Sequence, residues 1–244
     1  MAAPEPGAGL TVVTAPAKLT TSLRVTGVRA DGYHLIDAEM VSLDLADELE
    51  FREGDGVEVV EGDLGGAAPG DDLVSRALRA VGRRAHVILR KRIPPGGGLG
   101  GGSADAAAVL RWAGCDDLEV AVRLGADVPF CVRGGRARVT GIGEVVEPLP
   151  FEPRTYTLLV PPFGCPTPAV YAKWDELGGP RGEGGNDLEP AALAVEPRLA
   201  AYRDALGEAT GRTPRLAGSG STWFVEGAFP GEGRIVTRTV PAYG

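Results

Sequence analysis

Short apolar runs alternate with polar or glycine-rich breaks along this chain, and their period changes from two to that of a helix and back. Residues 10–28 (LTVVTAPAKLTTSLRVTGV) predict two β-rich runs, interrupted at Ala15-Pro16-Ala17 because proline cannot donate to a ladder. Residues 35–51 mix apolar and acidic positions and predict short strand-like pieces. Val57–Val60 predicts another strand, and Gly62–Gly70 a loop. After Asp71 and Asp72, the apolar positions Leu73, Val74, Ala77, Leu78 and Val81 follow a helical rhythm ending near Gly82, and the acidic start suits a helix N-terminus.

The pattern continues with a strand at Ala85–Leu89, a glycine loop at Pro94–Gly102 and a small-residue helix at Ser103–Trp112. A helix follows at Leu118–Leu124, then strands at Val128–Val132, Arg136–Val139 and Thr155–Val160. Gly178–Gly185 predicts a loop, Pro197–Leu206 a helix and Leu216–Gly220 a turn. Thr222–Val225 and Arg234–Val240 predict closing strands. No internal repeat is visible. Strands and helices do not alternate strictly, so the class is α+β. A boundary near Pro148–Arg154 divides the chain into residues 1–150 and 151–244.

Composition adds one anomaly. Glycine accounts for 37 of 244 residues, about twice the usual share. The net charge of −8 argues against a nucleic-acid binder, which needs a basic surface, but leaves room for a small anionic ligand at one local positive site. Of 25 basic residues only Lys18, Lys91 and Lys173 are lysines. Cys115, Cys131 and Cys165 form no CxxC pair, so neither a disulfide framework nor a zinc site is expected. The first ten residues lack the basic and apolar regions of a signal peptide, and no apolar run reaches 18 residues. The expectation is a soluble cytoplasmic protein, monomer or homodimer, with neither membrane nor nucleic acid as partner.

The segment from Lys91 to Asp105 (KRIPPGGGLGGGSAD) carries the most chemistry. It lies between an expected strand and an expected helix. Glycines let backbone N–H groups close on a ligand, and the helix N-terminus favours an anion, so the place suits a phosphate. Gly96, Gly98 and Gly101 match GxGxxG, but a Rossmann loop would follow the first strand of an alternating chain. A Walker loop needs a Gly-Lys pair, and a protein-kinase loop needs a following HRD segment; the chain has neither.

Pro94–Ala107 resembles the phosphate loop of the GHMP small-molecule kinases. Further segments are similar to motifs of this family in the same order: Ala15-Pro16-Ala17-Lys18, Asp31-Gly32-Tyr33-His34, Leu124–Phe130, Pro166-Thr167-Pro168, Asn186-Asp187-Leu188 and Gly218–Thr222. The likeness spans about residues 10–240. It implies a two-lobed fold, with an N-terminal α+β lobe that binds ATP and a C-terminal ferredoxin-like lobe. It also implies an ATP- and Mg²⁺-dependent kinase acting on the hydroxyl of a small cytidyl diphosphate substrate. Homoserine- or mevalonate-type acceptors, or nucleotide binding without catalysis, are the alternatives.

Residue by residue, the resemblance implies Asp127 as the catalytic base and Lys18 as its charged partner. ATP would lie on Pro94, Gly96, Gly97, Gly98, Leu99, Gly100, Gly101, Gly102 and Ser103, with Gly218 and Ser219 as a second support. Tyr33, His34 and Tyr171 would hold cytosine, with Thr20 near the substrate; Ser103 could contact phosphate or Mg²⁺, and the protein ligand of the ion is left open. Thr20 stands where the family usually has Asn, Ala104 replaces a second serine, and Asp72 stands where Asn is frequent. Ser103 also reads as a helix N-cap, and Lys91, Lys173 and His86 read as surface residues.

Overall fold

The structure, a computed structural model, describes residues 10–63 and 70–243. Most of the loop expected over 62–70, and the segment read for a signal peptide, therefore lie outside the described residues. A long antiparallel pair opens the fold. Strand β1 (Thr11–Val28) runs against β2 (His34–Arg52) along its length. Pro16 does not split β1, contrary to the sequence reading. The register shifts between Pro16 and Lys18, so the missing N–H falls at an irregularity of the ladder. Nor is β2 broken into pieces. Its acidic positions face arginines across the sheet: Asp37 pairs with Arg138, Glu39 with Arg136 and Glu48 with Arg90.

The other edge of β2 is shared by two strands. Its second half pairs with β4 (His86–Arg90), which continues to β3 (Gly56–Glu61). Its first half pairs with β5 (Arg136–Gly141), which continues to β6 (Val145–Pro148). Helices α1 (Leu73–Ala80), α2 (Gly101–Trp112), α3 (Leu118–Leu124) and α4 (Val128–Arg133) accompany this sheet. The buried residues Ala104, Ala106, Ala107 and Ala108 let α2 lie close against its neighbours. The segment Val128–Val132 was expected as a strand and is helical. All five of its residues are buried, so no alternation was available to distinguish the two, and Pro129 suits a helix's first turn.

The second sheet contains β7 (Thr155–Leu159), β8 (Arg215–Leu216), β9 (Trp223–Glu226) and β10 (Arg234–Arg238), in the order β10-β7-β9-β8 and antiparallel throughout. Fourth, first, third, second is the strand order of a ferredoxin-like sheet. A loop over 227–233 stands where that arrangement has its second crossover helix. Between β7 and β8 lie α5 (Thr167–Glu176), α6 (Glu189–Val195) and α7 (Leu199–Thr210). The sequence reading missed α5 and α6. Val170 is the only buried residue of α5, so it has little apolar rhythm to detect. The two sheets make an α+β protein of two lobes, with Trp223, Tyr156 and Phe224 filling the core of the second. No helix among the described residues is long and apolar enough to cross a membrane.

Candidate active site

The free edge of β1 organises the site. An edge strand presents unpaired backbone groups, and here loops cover them. The N–H of Lys18 donates to the Leu99 carbonyl at 3.0 Å, and the N–H of Leu23 to the Gly185 carbonyl at 2.9 Å. The Leu23 carbonyl accepts from the Asp187 N–H at 2.9 Å. The glycine loop and the segment after the 178–185 loop are thus both tied to one strand.

Within the glycine loop, Gly96, Gly98 and Gly100 have φ of +72°, +74° and +69°, a region that L side chains rarely adopt. Gly100 caps α2, which begins at Gly101, so Ser103 is an internal residue of the first turn and not the N-cap expected from sequence. The Leu99 side chain is buried and anchors the loop from below. A cavity of about 310 Å³ opens over Pro94–Gly102, with Asp72, Lys91 and Asp105 in its wall. The Gly218–Thr222 turn braces the loop from behind. The Thr222 hydroxyl donates to the Gly97 carbonyl at 2.6 Å, and its N–H to the same oxygen at 3.2 Å. Asn186 holds that turn by donating to the carbonyls of Leu216 and Gly218 at 2.9 and 2.6 Å. Ser219 shares a 2.8 Å hydrogen bond with Thr167, the first residue of α5.

Lys18 and Asp127, distant in sequence, meet. Lys18 Nζ lies 3.2 Å from Asp127 Oδ2, and it also donates to Thr20 Oγ1 at 3.2 Å. Lys18 is buried, whereas the Asp127 side chain keeps 32% of its exposure, so the carboxylate has a solvent-facing side. Asp127 occupies the N-cap position of α4, yet its side chain makes no capping bond there and turns to Lys18 instead. A methyl at Gly100 would lie 2.7 Å from Lys18 Cγ, so glycine is needed where the lysine stem crosses the loop. A methyl at Gly218 would lie 3.8 Å from Lys18 Nζ, and one at Gly125 would lie 3.8 Å from Ser103 Oγ.

Lys91 is not a surface residue. Its ammonium is buried between Asp47 and Asp105, 2.6 Å from the latter. Asp47 also accepts from the N–H groups of Arg92 and Ile93, at 2.5 and 2.8 Å, and so fixes the chain just before the glycine loop. Burial alone would lower the Lys91 ammonium, but Asp105 and Asp47 hold it above its usual range. Asp105 is pushed up to about 7, chiefly by burial and with the neighbouring Asp47 charge adding to the rise, against the opposing pull of Lys91. Its Oδ1 is buried without a hydrogen-bond partner.

An aromatic cluster lies where the lobes meet. His34, the first residue of β2, packs on Tyr171 with ring centroids 4.6 Å apart and meets Trp174 edge-on at 5.7 Å. Its Nε2 lies 2.9 Å from Asp175 Oδ1. Burial pushes the Tyr171 hydroxyl up, with the Asp127 charge adding to it, which places this ring within electrostatic reach of the Lys18–Asp127 pair. Tyr33 is 59% exposed. The cysteines are free, and among the described residues no cluster of three or more His, Cys, Asp or Glu could hold a metal.

A family model described as "GHMP kinases N terminal domain" matches residues 72–135, the stretch that contains the loop and Asp127. A 4-diphosphocytidyl-2-C-methyl-D-erythritol kinase from Paracoccus denitrificans is 42% identical over 235 residues, covering 86% of this chain and 84% of that protein. The chain belongs to the 4-diphosphocytidyl-2-C-methyl-D-erythritol kinase family. A crystal structure of a 4-(cytidine 5'-diphospho)-2C-methyl-D-erythritol kinase superposes with a TM-score of 0.75 at 31% identity, covering 94% of this chain and all of that one. A homoserine kinase structure from Cytophaga hutchinsonii, at 18% identity and TM-score 0.63, shares the fold alone.

Within this kinase family member, the residues singled out from sequence fall into two groups. Asp127, Thr20, Gly100 and Gly218 gather around Lys18, while residues 94–102 line the neighbouring cavity, with Ser103 one turn into α2 and Ser219 bonded to Thr167. His34 and Tyr171 touch each other beside it, with Tyr33 at the surface. Asp47, Lys91, Asp105, Asn186 and Asp175 were missed as site residues. For Lys91 a signal existed, because the chain retains only three lysines among its basic residues.

Proposed function

We propose that the protein transfers the γ-phosphoryl group of ATP to the 2-hydroxyl of 4-diphosphocytidyl-2-C-methyl-D-erythritol. The observation that carries this reading is the Lys18–Asp127 pair, 3.2 Å apart beside the glycine loop. A carboxylate that is about one-third exposed and held by a buried ammonium is fixed in place with one side open to an acceptor hydroxyl, as a general base must be. Asp127 takes the proton of the acceptor hydroxyl as that oxygen bonds to the γ-phosphorus and the bond to ADP breaks. Lys18 holds Asp127 in place and offers positive charge where negative charge gathers.

The loop residues fit a phosphate chain. Left-handed glycines at 96, 98 and 100 keep the backbone free of side chains along the cavity, and the start of α2 favours an anion. Backbone N–H groups of Gly96–Ser103 hold the phosphates, with Gly218 and Ser219 closing from the other side. Magnesium bound to ATP takes most of its ligands from phosphates and water and needs only one or two protein oxygens. Ser103 Oγ is the protein oxygen we assign to it, and the ion would neutralise phosphate charge.

Tyr33, His34 and Tyr171 hold the cytosine, and Thr20, bonded to Lys18, lines the acceptor end. Residues 1–150 form the ATP-binding lobe and 151–244 the lobe that closes the cleft. The test is ATP consumption with the cytidyl acceptor, homoserine or mevalonate. Turnover is expected on the cytidyl acceptor alone. Asp127→Asn should lower kcat about 10²–10⁴-fold while ATP still binds. Nucleotide binding without turnover on any acceptor refutes the kinase reading, and an undiminished Asp127→Asn variant refutes the base.

A further inference from the structure

The His34 side chain is only 10% exposed, enclosed by Tyr171 and Trp174 of α5. The next residue of α5, Asp175, places Oδ1 2.9 Å from His34 Nε2 and is itself half exposed. An ionised carboxylate only accepts hydrogen bonds, so Nε2 must carry the hydrogen. In the neutral ring the other nitrogen, Nδ1, is then a lone-pair acceptor. Among the described residues Nδ1 has no hydrogen-bond partner, and it is not sealed from solvent. One carboxylate thus decides which hydrogen-bonding face the imidazole turns outward.

That choice separates two pyrimidines. Position 4 of cytosine is an amino donor, whereas position 4 of uracil, as in thymine, is a carbonyl acceptor. An acceptor at Nδ1 meets the amino group favourably and the carbonyl with lone pair against lone pair. We infer that Asp175 is a positioning residue for base choice: by fixing the Nε2–H tautomer of His34, it makes the site select a cytidyl over a uridyl acceptor. The inference rests on the reading above that His34 faces the substrate base. Substituting Asn should reverse the polarity, because an amide can donate to Nε2 and leave the hydrogen on Nδ1.

The test compares wild type, Asp175→Asn and Asp175→Ala. The first readout is the ratio of kcat/KM for the cytidyl acceptor to that for its uridyl analogue. One hydrogen bond's difference is worth about tenfold, so the ratio should fall about tenfold in Asp175→Ala and further in Asp175→Asn. The second is the ¹⁵N NMR signature of the imidazole, which is simple to assign because the chain has only two histidines, His34 and His86. Wild-type His34 should be the Nε2–H tautomer and the Asn variant the Nδ1–H tautomer. The third is the ratio of CMP to UMP affinity, read without turnover. An Nδ1–H tautomer in neutral wild-type His34, equal losses on both acceptors, or an unchanged CMP/UMP ratio in the variants overturns the inference. Absence of turnover on the cytidyl acceptor instead overturns the functional reading, and the tautomer and binding ratio still decide this one.

Discussion

Replacing Gly98 with alanine places a methyl group where the two glycine turns touch. The added carbon would lie inside contact distance of the Gly220 carbonyl oxygen, 3.1 Å from the Gly220 carbonyl carbon and 3.2 Å from the Ala217 oxygen. All three are backbone atoms, so no side chain can swing aside. Gly96→Ala supplies the control. Its φ of +72° nearly equals the +74° of Gly98, but its nearest neighbour, Gly164 Cα, is an ordinary 3.5 Å away. Both variants carry the left-handed penalty of about 1–2 kcal/mol, offset by about 0.4–1 kcal/mol from a less flexible unfolded chain. That leaves Gly96→Ala near 1 kcal/mol of destabilisation, on the order of the difference of those terms. Overpacking adds about 1–3 kcal/mol at Gly98 alone. For a chain of this length each kcal/mol moves the melting point about 2–4 °C, so Gly98→Ala should melt roughly 2–12 °C below Gly96→Ala. Urea unfolding of the two variants side by side is the assay, since both positions face the cleft and activity would not separate them. If Gly98→Ala is no less stable than Gly96→Ala, the two turns do not brace each other as described.

Three other outcomes follow from the buried charges and the ring cluster. Lys91→Met leaves Asp47 and Asp105 side by side without their cation and should cost about 3–5 kcal/mol in urea unfolding, part of it recovered in the Lys91→Met/Asp105→Asn double variant. Asp105 has a folded pKa of about 7 against 3.8 in the unfolded chain, so its contribution is full below pH 3.8 and is lost as pH rises through 7. Asp105→Asn should therefore flatten the fall in stability across that window, by up to about 1.4 kcal/mol per pH unit for one proton; equal slopes in wild type and variant would refute it. His34→Ala should raise KM for the cytidyl acceptor far more than KM for ATP, and steady-state kinetics showing equal effects would count against base recognition there.

How much of this could be read from sequence depended on what each residue's chemistry required. The glycine loop was legible because only glycine tolerates the backbone it adopts, and its place between a strand and a helix limited what it could hold. Ordered motifs made Lys18 and Asp127 candidates, but only the fold brings them to 3.2 Å. Val128–Val132 was misread because full burial erases the alternation that distinguishes strand from helix. Lys91 was misread because a lone lysine is usually solvated, and the carboxylates that justify its burial come from β2 and α2. Asp175 gave no local signal at all, since its partner lies on the other lobe.

The brace between the two glycine turns also sets an order of events during synthesis. Gly97 and Thr222 are 125 positions apart. At about 5–20 residues per second, the ribosome makes the glycine loop roughly 6–25 s before the residue that steadies it. Lys18, made 200 positions before Gly218, waits longer still, roughly 10–40 s, for the turn that faces its ammonium. The nascent protein can thus build its first sheet early, yet its nucleotide cradle takes its working shape only once residue 222 has been made. A chain cut short before residue 222 would have every loop glycine in place and lack the turn that braces them from behind.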